Sequence, residues 1–353
     1  MRTSGTINVL VAEDSAATRM FLVHLLETDP LIRVIGAVCD GADAIDFVKK
    51  NKPDVVLMDI HMPRVDGFEA TRRIMETQPV PIVICSATVS IKDTVVTFQA
   101  LEAGAIACIA KPVGREHDSF EPMAAHLLET VKLMSEVTVV RRTTRARSAT
   151  VPAANFAQSH HASAGIRLIG IGASTGGPPV LQTILAGLSK DFPAPILVVQ
   201  HIAHGFLAGM AEWLNRTSAL PVHIASYGTH PLPGHVYLAP DDLHMGISAG
   251  GAIILTRDEP HNHLRPSVSY LFHSLAAACG PTALGVLLTG MGTDGADGLK
   301  AMKDRGATTI AQDRESSVVH GMPGVAIALG ATTHVLPADK ISDALVAMVH
   351  HNV

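Results

Sequence analysis

The 353-residue sequence predicts two consecutive α/β domains, each built on a parallel sheet. Three observations carry that expectation. Short apolar runs rich in β-branched residues alternate with longer stretches of helical period. One polar segment interrupts the alternation, and the chain is long enough for two packed cores.

The first domain is expected from five runs in order: Ile7 to Ala12, Ile32 to Val38, Asp54 to Met58, Pro81 to Cys85 and Ala105 to Ala110. A helical stretch near Ala16–Glu27 separates the first two and another near Met123–Met134 closes the series, so a five-stranded doubly wound parallel sheet follows. Thr143 to Ala154 is rich in Ser, Thr, Ala and Arg and lacks apolar periodicity, which places a flexible linker over 136–165 between domains at 6–135 and 166–353. Arg141, Arg142, Arg145 and Arg147 in it could contact an acidic partner, but a solvated hinge is the favoured reading. The rhythm resumes with Leu168 to Ile171, Pro195 to Val199, Gly234 to Ala239, Ala252 to Leu255, Ala283 to Leu288 and Thr308 to Ala311, a second doubly wound α/β domain.

Composition removes several functions. Lys plus Arg number 27 against 32 Asp plus Glu, a net charge of −5, so no overall field attracts nucleic acid. No apolar run approaches the roughly 18 residues of a membrane span, and the first one ends in Glu13-Asp14. The four cysteines, Cys39, Cys85, Cys108 and Cys279, form no CxxC pair. A cytoplasmic protein with reduced thiols and no membrane insertion is expected.

In an open parallel sheet the ligand site lies beyond the carboxyl ends of the strands. In the first domain those positions hold Glu13 and Asp14, Asp59, Ser86 and Lys111. Converging carboxylates repel one another unless a hard cation sits among them, and Mg²⁺ suits such oxygens. Singly, Asp14 could cap a helix, Asp59 could sit in a turn and Lys111 could be a surface charge. Together, Glu13-Asp14, Met58-Asp59-Ile60-His61-Met62-Pro63 with Asp66-Gly67, Ser86-Ala87 and Lys111-Pro112 resemble the response-regulator receiver domain, which is flavodoxin-like, over residues 6 to 135. The resemblance implies that Asp59 accepts phosphate from a histidine kinase, that Glu13, Asp14 and Asp59 hold Mg²⁺, and that Ser86 and Lys111 contact the phosphoryl group. Cys108 stands where receivers usually carry an aromatic residue.

The second domain opens with Leu168-Ile169-Gly170-Ile171-Gly172-Ala173-Ser174-Thr175-Gly176-Gly177-Pro178-Pro179. Walker A fails because Pro178 follows Gly177, and GxGxxG from Gly170 fails at Thr175. Gly172-x-Ser174-x-Gly176 instead has the spacing of a nucleophile elbow, with Ser174 on a tight strand-to-helix turn; an inert serine cap has the same look. A base is required. His201 follows a strand expected beside that of Ser174, while His204, His244, His273 and His320 compete among 19 histidines, and spacing does not choose. His201-x-x-His204 and His261-x-His263 lack a third metal ligand, so zinc is not expected. Asp294, after another strand, could orient an imidazole or cap the next helix.

These residues, with Gln200-His201, Leu238-Ala239-Pro240, Arg265-Pro266-Ser267-Val268, Thr289 to Gly295, Ala311-Gln312-Asp313 and Gly321-Met322-Pro323, resemble the chemotaxis protein-glutamate methylesterases, the CheB family. The resemblance spans nearly the whole chain. It implies Ser174 as nucleophile, His201 as base, Asp294 as the orienting acid, and backbone amides near Thr175 and Met291 as oxyanion donors. It also implies deamidation of receptor glutamines, methyl-accepting chemoreceptors as substrates and a chemotaxis histidine kinase as phosphodonor; ester hydrolysis is expected to need no cofactor, and from the two-domain architecture the receiver is expected to cover the esterase cleft until Asp59 is phosphorylated. Asp241 stands where glycine is common and Ser269 where aspartate is common.

Overall fold

The computed structural model describes residues 5–86, 91–114, 116–117, 119–137, 139, 165–261 and 263–350. Two compact units divide the chain, Met1–Ala149 and Thr150–Val353. Most of the expected linker, including its four arginines, and Ala87 lie outside the described residues.

The first unit runs β1 (Ile7–Ala12), α1 (Ala16–Leu26), β2 (Ile32–Val38), α2 (Gly41–Asn51), β3 (Val55–Met58), α3 (Gly67–Thr77), β4 (Ile82–Ser86), α4 (Ile91–Ala103), β5 (Ala107–Ala110) and α5 (Phe120–Ser135). The five strands pair in parallel in the order β2-β1-β3-β4-β5, the expected flavodoxin-like sheet. β3 and β4 are buried along their whole length, as strands covered on both faces must be. α1 turns Leu22, Leu25 and Leu26 inward at helical spacing. The strand order reverses between β1 and β3, so the crevice at their carboxyl ends is where a ligand fits.

The second unit runs β6 (Leu168–Ala173), α6 (Gly177–Ala186), β7 (Ile196–Gln200), α7 (Leu207–Thr217), β8 (Val222–Ile224), β9 (Val236–Leu238), β10 (His244–Ile247), β11 (Ile253–Thr256), α8 (Val268–Ala278), β12 (Ala283–Leu287), α9 (Ala296–Asp304), β13 (Thr308–Gln312), α10 (Met322–Ala328), β14 (His334–Leu336) and α11 (Ala338–His350). Seven strands pair in parallel in the order β14-β13-β12-β6-β7-β9-β8. The sheet is wound outward in both directions from β6, and its switch point lies between β6 and β12. Leu197, Val199, Phe272, Leu275, Leu299 and Met302 belong to the core beneath it.

Two features depart from the sequence reading. The run Ala252 to Leu255 does not join the main sheet; β11 pairs antiparallel with β10, because the turn between them is closed by Ser248 and Ala252. β8, β10 and β14 were not expected, being three or four residues long and each carrying a histidine. Among the described residues no helix is long and apolar enough to cross a membrane.

Candidate active sites

At the first switch point, Glu13 follows β1 and Asp59 follows β3, and both are buried. Lys111, the residue after β5, reaches both: its Nζ lies 2.7 Å from Glu13 Oε2 and 2.9 Å from Asp59 Oδ1. Asp14 is exposed, and it does not cap α1; Ser15 does, accepting from the Thr18 amide. Oxygens of Glu13, Asp14 and Asp59 lie within 4.8 Å of one another. Ser86 ends β4, is buried, and its carbonyl accepts from the Lys111 amide at 3.0 Å. Glu13, Asp14, Asp59, Ser86 and Lys111 therefore meet at one strand edge.

Three carboxylates face one ammonium there. Burial raises the pKa of Asp59 and of Glu13, and the Lys111 bonds only partly offset it. For Lys111, burial acts against the charge, but the bonds to Glu13 and Asp59 outweigh it and raise the pKa. Glu13 Oε2 has no partner except Lys111 among the described residues. A hard, oxygen-seeking dication fits this surplus, and Glu13, Asp14 and Asp59 are the residues that would hold it.

A stability consequence follows. A carboxylate whose folded pKa is raised favours folding below its unfolded pKa of about 3.9 and loses that contribution as pH rises through the folded value. Near pH 7.5, without divalent cation, Asp59→Asn is expected to raise the melting temperature of the receiver by about 3–6 °C, the shift that roughly 1 kcal/mol gives in a domain this size. The gain should vanish below about pH 4. Thermal melts across that range check it; a lower melting temperature at neutral pH would show that the Lys111 pair outweighs the repulsion.

At the second switch point, Ser174 is the first residue past β6. Its amide donates to Thr289 O (3.0 Å) and its carbonyl accepts from the Gly177 amide (2.8 Å), a tight turn into α6. The turn needs φ +78° at Gly176, a conformation open to glycine. Gly176, without a side-chain bond, is the N-cap of α6, so Ser174 is not the helix cap. A Cβ on Gly290 would lie 2.7 Å from Ser174 Cβ, so only glycine lets the segment leading to Met291 pass this close. The Thr175 and Met291 amides have no acceptor among the described residues.

β6 and β7 are registered Ala173 to Gln200, and the His201 amide donates to Ala173 O at 2.9 Å. Ser174 and His201 are thus the first residues beyond a paired position on adjacent strands, whose spacing is about 4.8 Å. Register places His201 beside Ser174. His204 is exposed beside Asp241 and Asp242, His273 bonds Asp297 at 3.0 Å, and His320 lies past β13 with both ring nitrogens unpartnered among the described residues.

His201 Nε2 lies 2.9 Å from Asp294 Oδ2, which leaves Nδ1 as the ring nitrogen free to take a proton. Asp294 sits in a cradle at the start of α8: Oδ1 accepts from Ser267 Oγ (2.8 Å) and the Ser269 amide (3.1 Å), and Oδ2 accepts from the Val268 amide (2.7 Å). Burial raises the Asp294 pKa, but the bonds from His201, Ser267 and Val268 outweigh it and hold the carboxyl well below the usual range. Asp294 does not cap α9; its donors come from α8, an element away in sequence. The cradle is braced by His244, which the sequence offered only as a rival base. His244 is fully buried and stacked on Tyr270 at 4.5 Å. Its Nδ1 accepts from the Ser267 amide (3.3 Å) and its Nε2 donates to Glu259 O (3.1 Å), so both partners fix the neutral tautomer.

Comparison with known proteins gives the family of both domains. Residues 169–345 match the family model described as CheB methylesterase, and residues 9–117 match the response regulator receiver domain. The chain is 52% identical over 345 residues to a protein-glutamate methylesterase/protein-glutamine glutaminase of Nitrosospira multiformis, covering 97% of both chains. The chain belongs to the CheB methylesterase family. A protein of Geobacter metallireducens with the same activity in its name is 52% identical over 344 residues, covering 97% of this chain and 99% of the other. The catalytic domain of CheB methylesterase from Thermotoga maritima superposes with a TM-score of 0.51 at 41% identity, covering 53% of this chain and all of that one.

Within this CheB methylesterase, two of the residues that depart from the family pattern do structural work. Ser269 is buried; its Oγ accepts from the Gly295 amide (2.7 Å) and donates to Asp297, so it supports the Asp294 loop. Asp241 accepts from the Gly205 amide (2.9 Å), holding the loop that follows His201. Cys108 is half-buried on β5 opposite Ile84, and burial raises its thiol pKa.

Proposed function

We propose that this CheB methylesterase hydrolyses glutamyl methyl esters on chemoreceptors, and deamidates receptor glutamines, by a Ser174–His201–Asp294 mechanism controlled by phosphorylation of Asp59. The observation that carries the proposal is the Asp294 carboxylate, held by three donors from α8 and bonded to the imidazole that stands beside Ser174 by strand register. Ser174 Oγ attacks the ester carbonyl while His201 Nδ1 takes its proton. The carbonyl oxygen gains negative charge facing the Thr175 and Met291 amides and the amino end of α6. His201 returns the proton to the departing methoxide, releasing methanol and leaving an acyl-serine. Water then adds with His201 as base, and glutamate and Ser174 are regenerated. With a carboxamide substrate, ammonia leaves in place of methanol. No cofactor enters the hydrolysis.

In the receiver, Asp59 takes the phosphoryl group from a chemotaxis histidine kinase, in the cytoplasm. Glu13, Asp14 and Asp59 would hold Mg²⁺, which would supply neutralising positive charge; Lys111 pairs with the transferred group and Ser86 bonds an oxygen of it. The new charge shifts the receiver between two packings and releases a restraint on the esterase domain. The test is methanol release from methylated receptor, with Mg²⁺ and with or without acetyl phosphate. The wild type is expected to rise at least about tenfold with the phosphodonor, a population shift of some 1.4 kcal/mol, and Asp59→Ala to stay at the basal rate. A fragment from residue 166 onward should outpace the unphosphorylated whole. No methanol under any condition, with receptor methylation verified, would leave a protein that binds without turnover.

A further inference from the structure

We infer that Gln200 is a positioning residue of the esterase site: its one carboxamide ties the Ser174 peptide to the His201 peptide. The inference rests on the reading of Ser174 and His201 given above. Gln200 closes β7 and is only 6% exposed. Its Nε2 donates to Ser174 O at 2.9 Å and to His201 O at 2.7 Å. Both partners are carbonyls, which only accept, so the amino group must face them and the carboxamide orientation is forced.

That orientation leaves Gln200 Oε1 buried with no partner among the described residues. It faces the first turn of α6, where a Cβ on Gly177 would lie 2.2 Å away. The Gly177 amide is already spent on Ser174 O, and Pro178 and Pro179, which follow it, have no N–H to give. An apolar side chain here would remove the orphaned Oε1 but leave His201 O without its Gln200 donor, so what the glutamine adds at the end of Ile196–Gln200 is its two bonds to the Ser174 and His201 carbonyls.

The two bonds it makes are those the chemistry needs. In a trans peptide the C=O and the following N–H point in opposite directions. Fixing Ser174 O between Gln200 Nε2 and the Gly177 amide therefore aims the Thr175 N–H the other way, out of the turn and free for an oxyanion. Fixing His201 O with the second proton of the same amino group holds the base in step with the nucleophile. Ser174, the Thr175 amide and His201 then cannot drift independently.

The test is methanol release from methylated receptor by the full-length protein and its Gln200→Met variant, which keeps the length and removes the donor. Rates are expressed per site titrated with a fluorophosphonate, so unfolded protein does not count. The expected result is a kcat lower by about 30- to 100-fold with KM within about twofold, the cost of a misplacement near 1 Å. A per-site kcat within about threefold of wild type, or a loss that disappears on titration, overturns the inference and leaves Gln200 a packing residue. Ser174→Ala, assayed alongside, separates the two readings: if it still hydrolyses, the site assignment has failed, and if it is inactive while Gln200→Met is normal, only the positioning role has.

Discussion

Replacing Ser174 by alanine is expected to lower methanol release by at least about 10⁴-fold, because the variant loses the atom that forms the acyl intermediate and keeps only the oxyanion donors and binding. The change should leave the fold intact. Ser174 Oγ supports no helix cap, and the bonds that build the turn use the Ser174 backbone, which alanine retains. The Ser174→Ala protein should therefore melt within a degree or two of wild type, accept phosphate at Asp59 and bind methylated receptor with unchanged affinity, while releasing no acyl-enzyme burst. The measurement is methanol against time beside a receptor-binding titration. Hydrolysis within tenfold of wild type would move the nucleophile elsewhere, with water activated by His201 as the next reading.

The sheets and the positions of the candidate site residues were legible in the sequence for one reason. Strands covered on both faces are written as unbroken apolar runs, and in such sheets chemistry gathers where the runs stop. Glu13, Asp59, Lys111, Ser174, His201 and Asp294 all follow strands or the turns directly after them. What stayed hidden depends on contacts between distant segments. Spacing does not separate His201 from His244, because the difference is register: one stands beside Ser174 past a paired position, the other is stacked on Tyr270 behind the Asp294 cradle. The cradle itself joins 267–269 to 294, and Ser269 matched the family poorly while serving the same loop. The short strands β8 and β14 lie at the two edges of the sheet, where half their residues meet solvent and the apolar signal lapses. Gln200 gave one sign that was visible from the start, a carboxamide ending a wholly apolar strand.

Asp294→Asn is expected to lower kcat by about 10⁴-fold, with little change in volume or KM, because the substitution reverses the tautomer of the base. Every contact of the Asp294 carboxylate comes from a donor: Ser267 Oγ, the Val268 and Ser269 amides and His201 Nε2. An asparagine must turn its amino group toward one side of that set. Each side carries one backbone N–H that cannot change role, Val268 with His201 at Oδ2 and Ser269 with Ser267 at Oδ1; with the amino group on the His201 side, the imidazole moves its proton to Nδ1 and accepts. The proton then sits on the nitrogen that should receive one from Ser174, and the nucleophile is left without a base. A stability signature accompanies the kinetic one. Asp294 has a depressed folded pKa, so its contribution is fully present above the unfolded value of about 3.9 and is lost as pH falls through the folded value. The variant should melt several degrees below wild type at pH 7, for charge-assisted bonds of roughly 1.5–3 kcal/mol, and the gap should narrow below about pH 4. Paired melts and methanol assays across pH 3 to 8 read both effects together. A variant that loses stability at neutral pH yet keeps its rate would show that the cradle holds the fold of the loop while His201 is oriented by something else.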